Sequence, residues 1–145
     1  ALSRAERTGA AAAAIELPDG KIMTGKTSNL LGPSAALILN ALKELAGIDH
    51  DLHVISPTAI EPIQKVKTQY LGSKNPRLHI DEILIALSIS SAANPAAQHA
   101  MEQLPKLKGC QVHTSVMLSS VDIKLFKKLG IQLTCEPKYE HDPIY

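Results

Sequence analysis

The sequence predicts an α/β fold: a layered sheet with an N-terminal β-hairpin, helices on both faces and an inserted helical pair. Three observations predict it. Two short apolar runs flank Pro18-Asp19-Gly20, the chemistry of a tight turn. Proline follows glycine at Gly32-Pro33 and asparagine at Asn94-Pro95, where its missing N–H costs nothing at the first helical position. The inferred elements then fall in the order ββα, βα, a helical pair and βαβ.

Residues 10–17 and 21–25 form the hairpin strands, because Pro pre-sets one turn position and Gly supplies positive φ at another. The polar stretch Lys26-Thr27-Ser28-Asn29 leads to a helix over residues 33–46, stopped by Gly47. Past its first turn its only polar residues are Asn40, Lys43 and Glu44, spaced i, i+3, i+4, so one narrow stripe is expected to meet water. Residues 52–55 are expected as a short strand, and 62–71 as a helix ended by Gly72 with Ile63, Val66 and Tyr70 on one face. Asp81 and Glu82 open an apolar run over 83–93, too long for a typical strand and suited at its start to the positive end of a helix dipole. Asn94 caps the next helix, which runs to Leu104. A strand over 112–118, a helix over 119–129 exposing Lys124, Lys127 and Lys128, and a strand over 131–135 complete the sheet. The expected division is a polar lead-in over 1–9 that links to a missing N-terminal region, one domain over 10–136 and a tail over 137–145.

A chain of 145 residues, 45% of them hydrophobic, fits one core, and four aromatics without Trp leave that core to Leu, Ile, Val and Ala. A net charge of +1 gives no electrostatic reason for a nucleic-acid partner or an acidic membrane, so a charged ligand must be met locally. Cys110 and Cys135 make no CxxC pattern and no disulfide scaffold, and the expected compartment is the cytoplasm. The apolar stretch over residues 10–15 is too short for a membrane span or a signal-peptide core.

The string from Gly20 to Thr27 satisfies the letters GxxxxGK[ST] of a phosphate-binding loop. Its context argues against that role. Such a loop enters a helix at its Gly-Lys-Thr, whereas here Lys21-Ile22-Met23-Thr24 reads as the second hairpin strand and Pro33 would interrupt a helix begun at Lys26. A different anion site is offered by the helix start near Gly32-Pro33 with Lys26, Ser28, Asn29 and Ser34, together with the loop that concentrates Lys74, Asn75, Arg77 and His79. These eight residues are the expected ligand-binding set, provided that the two loops converge on one edge of the sheet. The close pairs His50/His53 and Cys110/His113 sit at i, i+3, which in a strand points the two side chains to opposite faces; no metal and no cofactor are expected.

The segments Ile15-Glu16-Leu17-Pro18-Asp19-Gly20, Thr24-Gly25-Lys26-Thr27-Ser28, Leu84 to Ser90 and Leu129 to Thr134 closely resemble the C-terminal part of a bacterial family known only as uncharacterised protein family 0371, or domain of unknown function 1846. The resemblance runs from Ala12 to Glu136. It implies a C-terminal domain of a cytoplasmic protein roughly three times this length, whose earlier portion carries its own GSGK segment, and it carries over no catalytic residue. A second likeness concerns topology: hairpin, helix, strand and then Glu61-Pro62 opening a helix resemble the start of the cytidine-deaminase fold. Ile63 and Val66 stand where that fold places zinc-binding cysteines, and Ser34-Ala35-Ala36 holds no Cys, His or Glu, so zinc deamination is excluded.

The functional expectation is a domain without a complete active site that binds a small anionic ligand or packs on the missing N-terminal region, within a homo-oligomer. Two alternatives accompany it. One is an enzyme domain acting on a phosphorylated small molecule, with Lys26 or Arg77 stabilising developing charge and His79 as acid or base. The other is a structural oligomerisation module, favoured by the apolar first helix.

Overall fold

A computed structural model describes residues 12–28, 31–49, 52–55, 57–72 and 75–136. Strands β1 (Ala12–Glu16) and β2 (Ile22–Lys26) pair antiparallel, with Ala13 opposite Gly25 and Ile15 opposite Met23. The turn between them closes as its residues dictate. Gly20 takes φ 86° and donates its N–H to the Leu17 carbonyl at 2.8 Å, while Asp19 Oδ1 accepts the Lys21 N–H at 3.0 Å. Helix α1 (Pro33–Leu45) follows, then α2 (Pro57–Lys65) with the π-helical turn Val66–Tyr70. The helical pair is α3 (Ile80–Ser90) and α4 (Pro95–Glu102), joined through the 3₁₀ turn Leu104–Leu107 to β3 (Gln111–Thr114), α5 (Ser120–Lys128) and β4 (Gln132–Cys135). Asn94 caps α4 by accepting the Ala96 N–H at 3.0 Å, and Ser119 caps α5 by accepting the Asp122 N–H at 3.3 Å.

The sheet order is β2-β1-β3-β4, with β1 antiparallel to both its neighbours and β3 parallel to β4. Consequently β2, β3 and β4 run the same way and end at one edge. Ala13, Ile15 and Val112 face a core shared with Leu37, Ile38, Ile83, Leu87 and Phe126. Glu16, Ile22, Gln111, Gln132 and Thr134 are exposed on the other face. That face is a groove of about 440 Å³ lined by strand residues alone.

The sequence-based expectation of helices on both faces is therefore corrected: among the described residues they cover one. The physical reason is visible in Gln111-Val112-His113-Thr114 and Gln132-Leu133-Thr134-Cys135, whose polar and apolar residues alternate as in a sheet covered on one side. Residues 52–55 form bends instead of a strand, and Val54 and Ile55 are buried in the core without a sheet ladder. The deaminase likeness relied on that strand, so its element order is not the one observed here. The helix expected over 62–71 begins at Pro57, holds Pro62 inside it and passes into the π-helical turn. Val66 and Tyr70, expected on the Ile63 face, are 46% and 70% exposed, and Lys67, four residues from Ile63, is the buried residue of that turn.

Helix α1 lies directly on the hairpin. A Cβ added to Gly25 would stand 2.7 Å from Leu37 Cα and 2.9 Å from the Ala36 carbonyl carbon, so only glycine permits this approach. Of the stripe expected to meet water, Asn40 donates to the Thr24 carbonyl at 2.9 Å, Glu44 pairs with Lys21, and Lys43 is only 6% exposed. The string from Gly20 to Thr27 is thus turn and paired ribbon, and the helix that follows starts at Pro33.

Candidate functional site

The carboxyl ends of β2 and β3 lead to α1 and α5, and α3 starts beside them. Gly32 donates its N–H to the Leu78 carbonyl at 3.1 Å, and Leu31 forms a parallel bridge with Leu78. Ile80, the first residue of α3, donates to Asp122 Oδ1 in the first turn of α5 at 3.0 Å. Three helix starts, whose first N–H groups have no acceptor within their own helix and carry partial positive charge, are thereby gathered at the edge where open α/β sheets place ligands. Two of them already hold protein acceptors. Glu82 Oε1 accepts the His79 N–H at the start of α3, and Ser119 Oγ accepts at the start of α5. Gly32, the N-cap of α1, supplies no side-chain acceptor, and the first turn of α1 carries no acid.

The two polar loops meet at this uncapped start. Arg77 Nε donates to the Ser28 carbonyl at 2.6 Å, and the Ser28 hydroxyl accepts the Leu31 N–H at 3.1 Å. Ser34 is fully buried in the first turn of α1, and its Oγ has no hydrogen-bond partner among the described residues; the same holds for Thr27 Oγ1. Asn75 acts within its own loop, where its Oδ1 accepts the Arg77 N–H at 3.1 Å. Strand alternation places Lys26 on the face opposite Gly25 and α1, apart from Ser34. Asn29 and Lys74 lie outside the described residues.

His79 is the N-cap of α3, with its Nδ1 3.2 Å from Glu82 Oε1. The same carboxylate oxygen accepts from Lys67 Nζ at 2.9 Å, and Lys67 also donates to the Arg77 carbonyl at 2.6 Å. The π-helical turn delivers the buried Lys67 to this point and pins the Arg77 loop from behind. Burial alone would push the Glu82 carboxyl upward. The hydrogen bonds from His79 and Lys67 outweigh it and hold the group down at about 2. Sequence reasoning missed Lys67, Glu82 and Asp122 as members of this cluster. His79 is not one of the usual N-cap residues, so the His79–Glu82 box carries no signature, whereas Ser119-x-x-Asp122 does match a capping pattern.

Asp122 is 5% exposed, and burial pushes its carboxyl up, partly offset by the Ile80 N–H and by His79, with Asp81 and Glu82 adding to the rise. A carboxyl raised in the folded state binds its proton more tightly there, so folding stability falls as pH climbs from the ordinary carboxylate value through the raised one. Asp122→Asn keeps an acceptor for Ile80 and removes the buried charge; at pH 7 its urea midpoint is expected to equal or exceed that of the parent. Asp122→Ala strands the Ile80 N–H and is expected to cost about 1–3 kcal/mol in the same measurement.

On the open sheet face, His113 Nδ1 lies 2.6 Å from Thr134 Oγ1 and its Nε2 lies 3.2 Å from Glu136 Oε1. His113 and Thr134 are register partners of β3 and β4, and this row is the cross-strand polar pairing of a solvent-facing sheet. No group of three metal-ligating side chains occurs among the described residues. No helix of the described residues is long and apolar enough to cross a membrane.

The fold is a mixed-sheet α/β domain in which three helices, α1, α3 and α5, begin around one edge of the sheet. All 145 residues match the family model described as domain of unknown function DUF1846, C-terminal, and the chain belongs to that family. It is 57% identical over 145 residues to a UPF0371 protein of Corynebacterium glutamicum and 58% identical over 145 residues to one of Corynebacterium efficiens. A UPF0371 protein of Streptococcus thermophilus is 50% identical over 145 residues. Each match covers 100% of this chain and 29% of the relative, so the chain spans less than a third of the length of these relatives.

Proposed function

We propose that this domain serves as the C-terminal part of a longer protein and holds a small phosphate-class anion at the start of α1, between residues 26–28 and 75–79. The observation that carries the reading is the Arg77 Nε bond to the Ser28 carbonyl, which fixes the guanidinium beside the one helix start of the three that lacks a side-chain acceptor. An anion there meets the remaining guanidinium N–H groups, the Ser28 hydroxyl and the first backbone N–H groups of α1. Ser34 supports the reading as a buried hydroxyl in that turn, and the π-helical turn that places Lys67 behind the loop supports it as a device common at functional sites. His79, engaged with Glu82, sets the start of α3 in this reading, and the acid–base role gains no support.

Thermal melts with inorganic phosphate and pyrophosphate test the proposal. At a hundredfold excess over the dissociation constant the expected stabilisation is about 2.7 kcal/mol. Arg77→Ala is expected to abolish the shift while leaving the ligand-free melt within about 0.5 kcal/mol of the parent. Lys124→Ala, a change on the exposed face of α5, is expected to retain it. An undiminished shift in Arg77→Ala, or no shift in the parent, contradicts the proposed site.

A further inference from the structure

We infer that the outer stripe of α3 is a docking surface for the portion of the longer family polypeptide that lies outside this chain. The sequence Ile80-Asp81-Glu82-Ile83-Leu84-Ile85-Ala86-Leu87-Ser88-Ile89-Ser90 is apolar around most of its circumference, a composition found in helices covered on every side. Ile80, Ile83, Ala86 and Leu87 are buried against the domain core. Ile85 and Ile89 point away from it and are 59% and 70% exposed. They stand four residues apart on one face, with exposed Ser88 between them and exposed Ala92 continuing the line in the closing turn. This is the i, i+3, i+4, i+7 pattern of a helix that receives a neighbour, with small residues allowing close approach.

Size decides the occupant. A stable free dimer needs roughly 20–30 residues and about 800 Å² on each side. Two isoleucines and two small residues fall far short of that. A patch this small holds a partner only when the partner is already nearby, and a covalent tether supplies an effective concentration in the millimolar range without further contacts. The chain spans 29% of its relatives, so about seven-tenths of such a polypeptide lies outside it and provides the tethered surface. A second copy of this domain lacks that advantage.

The inference is tested by thiol accessibility. Ile85→Cys is introduced into the 145-residue chain and into a full-length family polypeptide carrying this domain, and maleimide labelling is followed by peptide mass spectrometry. Lys124→Cys, on an exposed face of α5, serves as the reference in both lengths. Labelling at position 85 is expected to be at least tenfold slower in the long polypeptide than in the short chain, with position 124 unchanged. Restoring fast labelling by adding Ile89→Lys to the long polypeptide completes the expected result. Equal rates in both lengths overturn the inference. Slow labelling in the short chain that depends on its concentration also overturns it, because the occupant is then a second copy.

Discussion

Gly25→Ala is expected to destabilise the domain by about 3 kcal/mol, seen as a fall of about 10 °C in Tm. The added methyl group stands 2.7 Å from Leu37 Cα and 2.9 Å from the Ala36 carbonyl carbon, and both belong to the backbone of α1. A side chain could rotate away from such a clash, whereas a helix must move as a body. Helix α1 buries Leu37, Ile38, Ala41 and Leu42 on one side and its Asn40 side chain bonds the Thr24 carbonyl, so displacement opens the core and breaks that contact together. Gly20→Ala provides the contrast, since its Cβ meets nothing within 4 Å and only the positive φ is strained; about 1–2 kcal/mol is expected there. Urea denaturation of the ligand-free protein measures both. A loss under 0.5 kcal/mol for Gly25→Ala contradicts the packing account of this glycine.

Glu82→Gln is expected to cost about 2 kcal/mol at pH 7 and to flatten the acid limb of the stability curve. The carboxylate receives Lys67 Nζ and the His79 N–H at 2.9 Å each, and the exchange leaves a 9%-exposed lysine without its anionic partner. The depression of Glu82 from 4.5 to about 2 sets an upper bound near ~3 kcal/mol. Since 21% of the side chain is exposed, water screens part of this, and about 2 kcal/mol remains. The sign follows from linkage: a carboxyl depressed in the folded state contributes its full stability above the unfolded value and loses it as pH falls through the folded one. The parent is therefore expected to lose this contribution between about pH 4.5 and pH 2, whereas the variant, already without it, changes less over that window. Parallel acid limbs in urea titrations at pH 7, 4.5, 3 and 2 contradict the assignment.

The hairpin, the start of α1 and the caps of α4 and α5 were legible because their signals are local: Pro18-Asp19-Gly20, Gly32-Pro33, Asn94-Pro95 and Ser119 each act on backbone groups within a few residues. The ribbon reading of Gly20 to Thr27 was legible for the same reason, from the position of Pro33. Pairing over long separations was not. Nothing near Gln111 announces that β3 lies beside β1 of the hairpin, so the alternation in β3 and β4 was available in the sequence while its partner face was not. Val54 and Ile55 look like strand because burial alone selects the same residues in a core bend.

The candidate site divides along the same line. Ser28 and Arg77 were singled out by composition, whereas their contact spans 49 residues, which no spacing rule reaches. Lys67 escaped because a lysine reads as solvent-facing, although at i+4 from Ile63 it stands on the expected inner face, where it is buried. Asp122 escaped because its bond to the Ile80 N–H spans 42 residues and joins two helix starts that no spacing rule connects.

Backbone amide NMR during titration with inorganic phosphate, and separately with ATP, tests the proposed anion site at the start of α1 most directly. Phosphate is expected to shift the amides of Ser28, Ser34, Ala35 and Arg77, to leave residues 20–24 in place, and to lose its effect in Arg77→Ala. Shifts centred on the Gly20 to Gly25 amides, or amides at the start of α1 that ignore phosphate and follow ATP alone, contradict it.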